Sequence, residues 1–309
     1  MTAVVFAKEN KDYILEKIFS CSVALAILYA FSPEKVRDSY IILGQAHFTL
    51  TYLYQIKTGK ATPRTLSLFT ICMTTLYTAA MVYQAAFTLF AATTLIFHTN
   101  VAEVKLQKRR MNIGYLFLMT SIMLINSAEL ANALWGHHID AGIICYFIMA
   151  IGIPAGILYL VKAQKPLSID ASVIFMIAML LVYIWLELSG HFPSPYKSFG
   201  FIVIAHYMTF YVVTARKFYR EDRKKLLPFL TQSAILNFCM VTGYFALLYK
   251  WIETGAVHSF VYQLWYLPVA FYAWTVMHFV STLNAGDYTG ALGLRVSKLS
   301  PANGQPPAT

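Results

Sequence analysis

Ten long apolar runs, separated by short polar connections, fill the chain from residue 15 to residue 283. They cover residues 15–32, 39–56, 65–82, 84–103, 112–134, 141–161, 169–188, 198–215, 229–249 and 260–283. A helix of roughly 20 apolar residues crosses ~30 Å of hydrocarbon, and inside lipid it satisfies its own backbone hydrogen bonds. The stretch from Thr65 to Asn100 reads as one apolar run. A single helix of that length would overshoot the bilayer, so the chain is expected to divide it at Tyr83-Gln84. The pattern therefore predicts an all-α fold. It is a polytopic transmembrane helical bundle of about ten spans, forming one domain over residues 1–283. Residues 284–309, rich in Gly, Pro and Ala, read as a disordered tail.

Charge orients the bundle. Twenty of the 24 Lys and Arg residues fall in the N-terminal segment, alternate loops and the C-terminal tail, and four (Lys35, Arg37, Lys197, Lys250) fall in the opposite loops. Basic residues stay on the cytoplasmic side, so both termini are expected inside. The formal net charge of +10 is thus a record of topology, and a nucleic-acid partner is excluded as its explanation. Composition agrees: 58% hydrophobic residues and 12% charged, with mean hydropathy +0.58, against roughly 25% charged in soluble domains.

The first run follows a mixed-charge leader, Lys8-Glu9-Asn10-Lys11-Asp12, and has no small-x-small cleavage site before Ser32-Pro33-Glu34. It reads as an uncleaved first helix and not as a signal peptide. Cys21, Cys72, Cys145 and Cys239 lie inside spans without CxxC spacing and read as small buried hydrophobes. No internal repeat is evident.

Four histidines occupy spans, one per span: His47, His98, His206 and His278, on the second, fourth, eighth and tenth. The other four (His137, His138, His191, His258) fall in polar connections. Ionisable groups at membrane depth are expensive and face bundle interiors, where they mark functional sites. All four of these spans run from outside to inside. Each histidine precedes the inner loop by about six to ten residues, or roughly 10–15 Å at 1.5 Å per residue. They share one layer in the cytoplasmic half of the bundle and are expected to converge.

Neutral imidazole is the commonest metal ligand. Four neutral nitrogens around a divalent iron leave one or two positions open for dioxygen or substrate. Imidazole also suits Cu and Zn. A structural zinc site is instead usually tetrahedral and rich in Cys. Two alternatives stay open: a haem-binding electron-transfer protein, in which His pairs ligate b-type haems, and a metal-free membrane transporter or binding protein. Transporters often show repeats and broken helices, and here only Gly152-Ile153-Pro154 resembles a break.

Glu129 and Glu187 lie too far outward to share the His layer. Glu103, five residues after His98, is off its face. It is a candidate for a hydrogen bond to a neighbouring histidine or for an interfacial charge beside Lys105. Aromatics are 16% of the chain, and runs such as 207–211 and 265–274 flank the histidines. They suit a long isoprenoid entering from lipid, and equally ordinary packing.

One His on each of the second, fourth, eighth and tenth spans of a ten-helix bundle resembles the Brp/Blh family of membrane carotene dioxygenases. Gly44-Gln45-Ala46-His47 is similar to the family's Gly-x-Pro-His element. The double span from Tyr83 to Leu95-Ile96-Phe97-His98, then Ile204-Ala205-His206-Tyr207 and Thr275-Val276-Met277-His278, follow the later elements. Departures occur at Thr51 and Ala102, where the family has Asp, at Phe210, where it has a second His, and at Met277, where it has Pro. The resemblance implies oxidative cleavage of β-carotene at its central double bond to retinal. It also implies a non-haem Fe(2+) cofactor ligated by His47, His98, His206 and His278, with no catalytic residue beyond these. The implied partners are dioxygen, a lipid-soluble carotenoid or isoprenoid substrate and the bilayer of the inner (plasma) membrane.

Overall fold

In a computed structural model of the chain, residues 2–106, 113–136, 140–162, 194–248 and 263–284 are described, together with residues 181, 185 and 188–190. These form helices α1 (Thr2–Ala30), α2 (Pro33–Lys57), α3 (Pro63–Val82), α4 (Gln84–Leu106), α5 (Ile113–Trp135), α6 (Ala141–Lys162), α7 (Pro195–Glu221), α8 (Arg223–Leu248) and α9 (Pro268–Asn284). No strand occurs among the described residues. Most of the expected span at 169–188, and the expected tail from residue 285, lie outside them.

Helix starts are written locally. Ser32-Pro33, Thr62-Pro63 and Ser194-Pro195 each place a hydroxyl at the cap and Pro in the first turn, where its missing N–H costs nothing. Thr62 accepts from the Thr65 N–H at 3.2 Å, and Ser194 accepts from the Tyr196 N–H at 3.3 Å. The Thr65–Asn100 run divides where expected: Tyr83 leaves helical geometry (φ −120°, ψ 53°) between α3 and α4. Pro154 sits inside α6 without ending it.

The final expected span, 260–283, is not one helix. A short helical turn at 263–265 gives way at Tyr266-Leu267, and α9 starts at Pro268. Proline disfavours helical geometry in the residue before it, so the break is dictated by sequence. Carbonyls freed at membrane depth need partners, and two find side chains. The Trp274 indole donates to Leu264 O at 3.0 Å, and Gln45 Nε2 donates to Trp265 O at 2.8 Å.

Four helices make the centre. α2 packs on α7 and α9, and α4 packs on the same two, so that α2, α9, α4 and α7 close a ring. Around it, α1 lies on α7, α3 on α9, α5 on α4 and α7, α6 on α5, and α8 on α2 and α7. α2 shows why it is central: Tyr40, Ile41, Gly44, Ala46, His47, Phe48 and Leu50 are all buried, and a helix apolar on every side belongs inside.

The outer helices turn large apolar side chains outward. Leu227 and Phe238 on α8 are each 71% exposed, joined by Ile71 on α3 and Tyr146 on α6. An apolar surface of this extent belongs in lipid, not in water. Five described helices are long and apolar enough to cross a membrane: Asp12–Ala30, Pro63–Val82, Gln84–Ala102, Pro195–Glu221 and Arg223–Leu247. The chain is a membrane protein on this evidence. The expected count of ten spans is larger than these five.

α1 begins at Thr2, so the charged leader is helical and continuous with the first span. Its carboxylates meet the arginines of α7. Arg216 Nε lies 2.7 Å from Glu16 Oε1 and its Nη1 3.7 Å from Asp12, while Arg220 pairs with Asp12 as well. At the α7–α8 turn Lys225 sits 2.9 Å from Asp222, and this hydrogen bond holds the Asp222 carboxyl below its ordinary range. The cysteines divide: Cys21 is buried, Cys72 is half-buried and Cys239 is exposed. The last two correct the expectation of uniform burial, because α3 and α8 are outer helices. Cys145 lies outside the described side chains.

Candidate metal centre

Each helix of the central ring contributes one imidazole. His47 comes from α2, His98 from α4, His206 from α7 and His278 from α9, and their exposures are only 2–5%. The ring centroids form a closed circuit that repeats the helix contacts. His47 to His206 is 5.7 Å, His206 to His98 is 5.1 Å, His98 to His278 is 4.8 Å and His278 to His47 is 4.9 Å. The shared depth read from loop offsets is realised as direct contact.

Three of the four are closer still. His47, His98 and His278 each present a ring nitrogen, and these nitrogens lie within 4.8 Å of one another. Two ligands each ~2.1 Å from one ion are at most ~4.2 Å apart. A shift of a few tenths of an ångström per ring therefore suffices to bring the triad onto a common centre. His206 stands beside this triad as the fourth ring, touching His47 and His98.

The surroundings are aromatic. Phe48 stacks on His278 with centroids 4.8 Å apart and planes at 26°. Phe210 meets His47 edge-on at 4.4 Å, and Tyr207 lies 5.1 Å from His47 and 5.8 Å from His206. Lys17 Nζ donates to Thr209 Oγ1 at 3.4 Å, one turn beyond His206. Thr51 gives its hydroxyl to the His47 carbonyl at 2.9 Å.

Whether these residues suit a metal is decided by their polar atoms. Among the described residues, both ring nitrogens of His47, both of His206 and Nδ1 of His278 are buried without a hydrogen-bond partner. A buried polar atom left unpaired costs about 1–3 kcal/mol, and five in one cluster is an accumulation that packing alone does not repay. Four neutral nitrogen donors in an apolar shell fit a divalent transition ion. A triple-His group that can hold a metal is therefore present, and the donor set does not name the element.

Of the other expected residues, Glu103 belongs to α4 by its backbone and its side chain lies outside the described residues. Glu129 is half-buried on α5. Glu187, His137, His138, His191 and His258 lie outside the described residues. Three neighbours of the rings had no role assigned from the sequence: Gly44 and Tyr207, which pack together beside the rings, and Phe210, which faces His47. The Gly44–His47 spacing of three, one helical face, was the available signal. Comparisons of this chain with protein-family models, with curated proteins and with solved structures give no significant match.

Proposed function

We propose that this chain is a multi-pass inner-membrane oxygenase. It holds one divalent iron at His47, His98, His206 and His278 and oxidises or cleaves a carotenoid or another isoprenoid lipid. The observation that carries the reading is the closed circuit of four buried imidazoles with five unpartnered nitrogens, built from four different helices in an apolar membrane bundle. Adjacent rings touch directly at 4.8–5.7 Å, which favours one ion over a macrocycle wedged between facing helices.

When bound, iron with open positions supplies redox chemistry toward dioxygen. The protein's share is placement. The four imidazoles fix the ion's position and leave its charge uncompensated. Phe48 and Phe210 hold two of the rings and exclude water, so polar interactions inside the site act at full strength. Apolar walls suit a hydrocarbon chain entering from lipid.

The reading makes the chain a distant member of the Brp/Blh family. Its support is one histidine per central helix at the family's spacing. The departures have structural consequences: Phe210, at the family's second-histidine position, offers His47 an aromatic edge and no donor, and Thr51 spends its hydroxyl on the helix backbone. Any ion here is limited to the four histidines on these elements. Ten spans with both termini cytoplasmic belong to the same proposal, supported by the 20-to-4 division of basic residues.

The direct test is conversion of β-carotene and other isoprenoids by iron-loaded membranes, with products followed chromatographically. Oxygen-dependent product in the wild type, absent after His98→Ala, is expected. No turnover of any carotenoid or isoprenoid by iron-replete protein would remove the substrate assignment.

A further inference from the structure

Directly outward of the His circuit lies a hydroxyl that no described residue uses. Tyr207 is fully buried, and its Oη has no hydrogen-bond partner. Nearby, the Tyr40 and Tyr272 hydroxyls pair with each other at 3.3 Å, so these two buried tyrosines are satisfied where Tyr207 is not. Tyr207 follows His206 on α7, and side chains lean toward a helix's N-terminus, which on α7 is the outer end. Its ring therefore passes His47 and His206 and carries the hydroxyl toward α2.

There it meets Gly44. A Cβ built at Gly44 would lie 2.6 Å from Tyr207 Oη and 2.6 Å from Phe271 Cε2. The hydroxyl thus rests against bare backbone, in a space that only glycine leaves. Gly44 and His47 share a face of α2, and the His47 ring leans outward toward that level. A polar group has been brought beside the imidazole cluster, among Phe48 and Phe271, at the cost of leaving it unpaired. Unsatisfied polar groups in a low-dielectric interior bind a matching guest strongly.

We propose that the Tyr207 hydroxyl is a ligand-binding group, donating a hydrogen bond to a small electronegative ligand held on the outer side of the His cluster, and that Gly44 exists to keep its place. This rests on the metal reading above. The ligand class is diatomic to triatomic and electronegative, of the size of dioxygen or azide.

The test uses purified full-length protein loaded with cobalt(II) and titrated with azide, followed by the ligand-field bands. Tyr207→Phe removes one oxygen and keeps the ring. The expected result is unchanged cobalt stoichiometry with azide affinity weaker by about tenfold, the worth of one hydrogen bond to a charged ligand. In the wild type, the infrared stretch of bound azide is expected to differ between H2O and D2O. Equal azide affinity in the two proteins, or no isotope shift, would overturn the assignment while leaving the metal site standing. Loss of cobalt together with azide in Tyr207→Phe would make the residue structural and also overturn it. A wild type that binds no cobalt would defeat the metal reading, and this inference with it.

Discussion

Gly44→Ala is a small change at a place that has no room for it. The new methyl would stand 2.6 Å from both Phe271 Cε2 and Tyr207 Oη, and 3.2 Å from Tyr207 Cζ. Ordinary contacts need 3.4 Å or more, so each neighbour must retreat by nearly an ångström. Neither is free to do so. Phe271 stacks on Phe48 with centroids 5.9 Å apart, Phe48 stacks on His278, and Tyr207 backs onto His47. The strain therefore runs into two of the imidazoles. Overpacking of this kind costs about 1–3 kcal/mol, and here it also displaces ligand rings. Thermal unfolding of the detergent-purified variant should show a midpoint several degrees lower, and cobalt or iron content should fall below one per chain. Gly59→Ala is the control. Gly59 has φ +69° with nothing within 4 Å of a Cβ, so the substitution costs only the backbone penalty of about 1 kcal/mol and leaves metal content intact. Unchanged stability and full metal content in Gly44→Ala would show that the Gly44–Tyr207–His47 contact does not transmit strain to the rings, refuting the argument.

Other perturbations follow from single contacts. Arg216→Ala takes the 2.7 Å partner from Glu16 while Asp12 keeps Arg220, and it should destabilise the protein by about 1–3 kcal/mol, less than a fully buried pair because Arg216 is partly exposed. The double variant Arg216→Ala with Glu16→Gln should recover part of that loss in a denaturation series, and strict additivity would argue against coupling. Gln45→Leu leaves the Trp265 carbonyl without its donor at the break before α9 and should cost about 1–3 kcal/mol, read as a lower unfolding midpoint; no change would mean that another group replaces it. Reporter fusions at Thr309 and near Gln107 should score cytoplasmic, and one near His138 external. An external C-terminus would show the span count to be wrong.

The histidine circuit was legible because depth is readable in a membrane protein: hydropathy marks where a helix enters, and counting residues to the basic loop fixes the height of each ring. Helix starts at Ser32-Pro33, Thr62-Pro63 and Ser194-Pro195, and the division at Tyr83, were legible for local reasons of capping and length. The break before α9 is also written, in Pro268, but the apolar run continues through it and hides it. The pairing of Asp12 and Glu16 with Arg216 and Arg220 was not readable. It joins positions some 200 residues apart, and a charge ledger counts those arginines without saying what they touch. Gly44 and Tyr207 were hidden differently. A glycine beside a histidine motif has many uses, and only the packed structure shows which side chain occupies the space it leaves.

The central claim is that His47, His98, His206 and His278 hold one iron, and the metal content of purified protein tests it most directly. Elemental analysis and the visible spectrum of the wild type and the four single His→Ala variants should be read together. The account predicts close to one iron per chain and no Soret band in the wild type. It predicts near-total loss of iron in the His47, His98 and His278 variants, whose nitrogens already lie within 4.8 Å of one another, and loss in His206→Ala as the fourth ligand. A wild type without stoichiometric iron but with a strong haem spectrum, or four variants that keep the wild-type iron content, would contradict it.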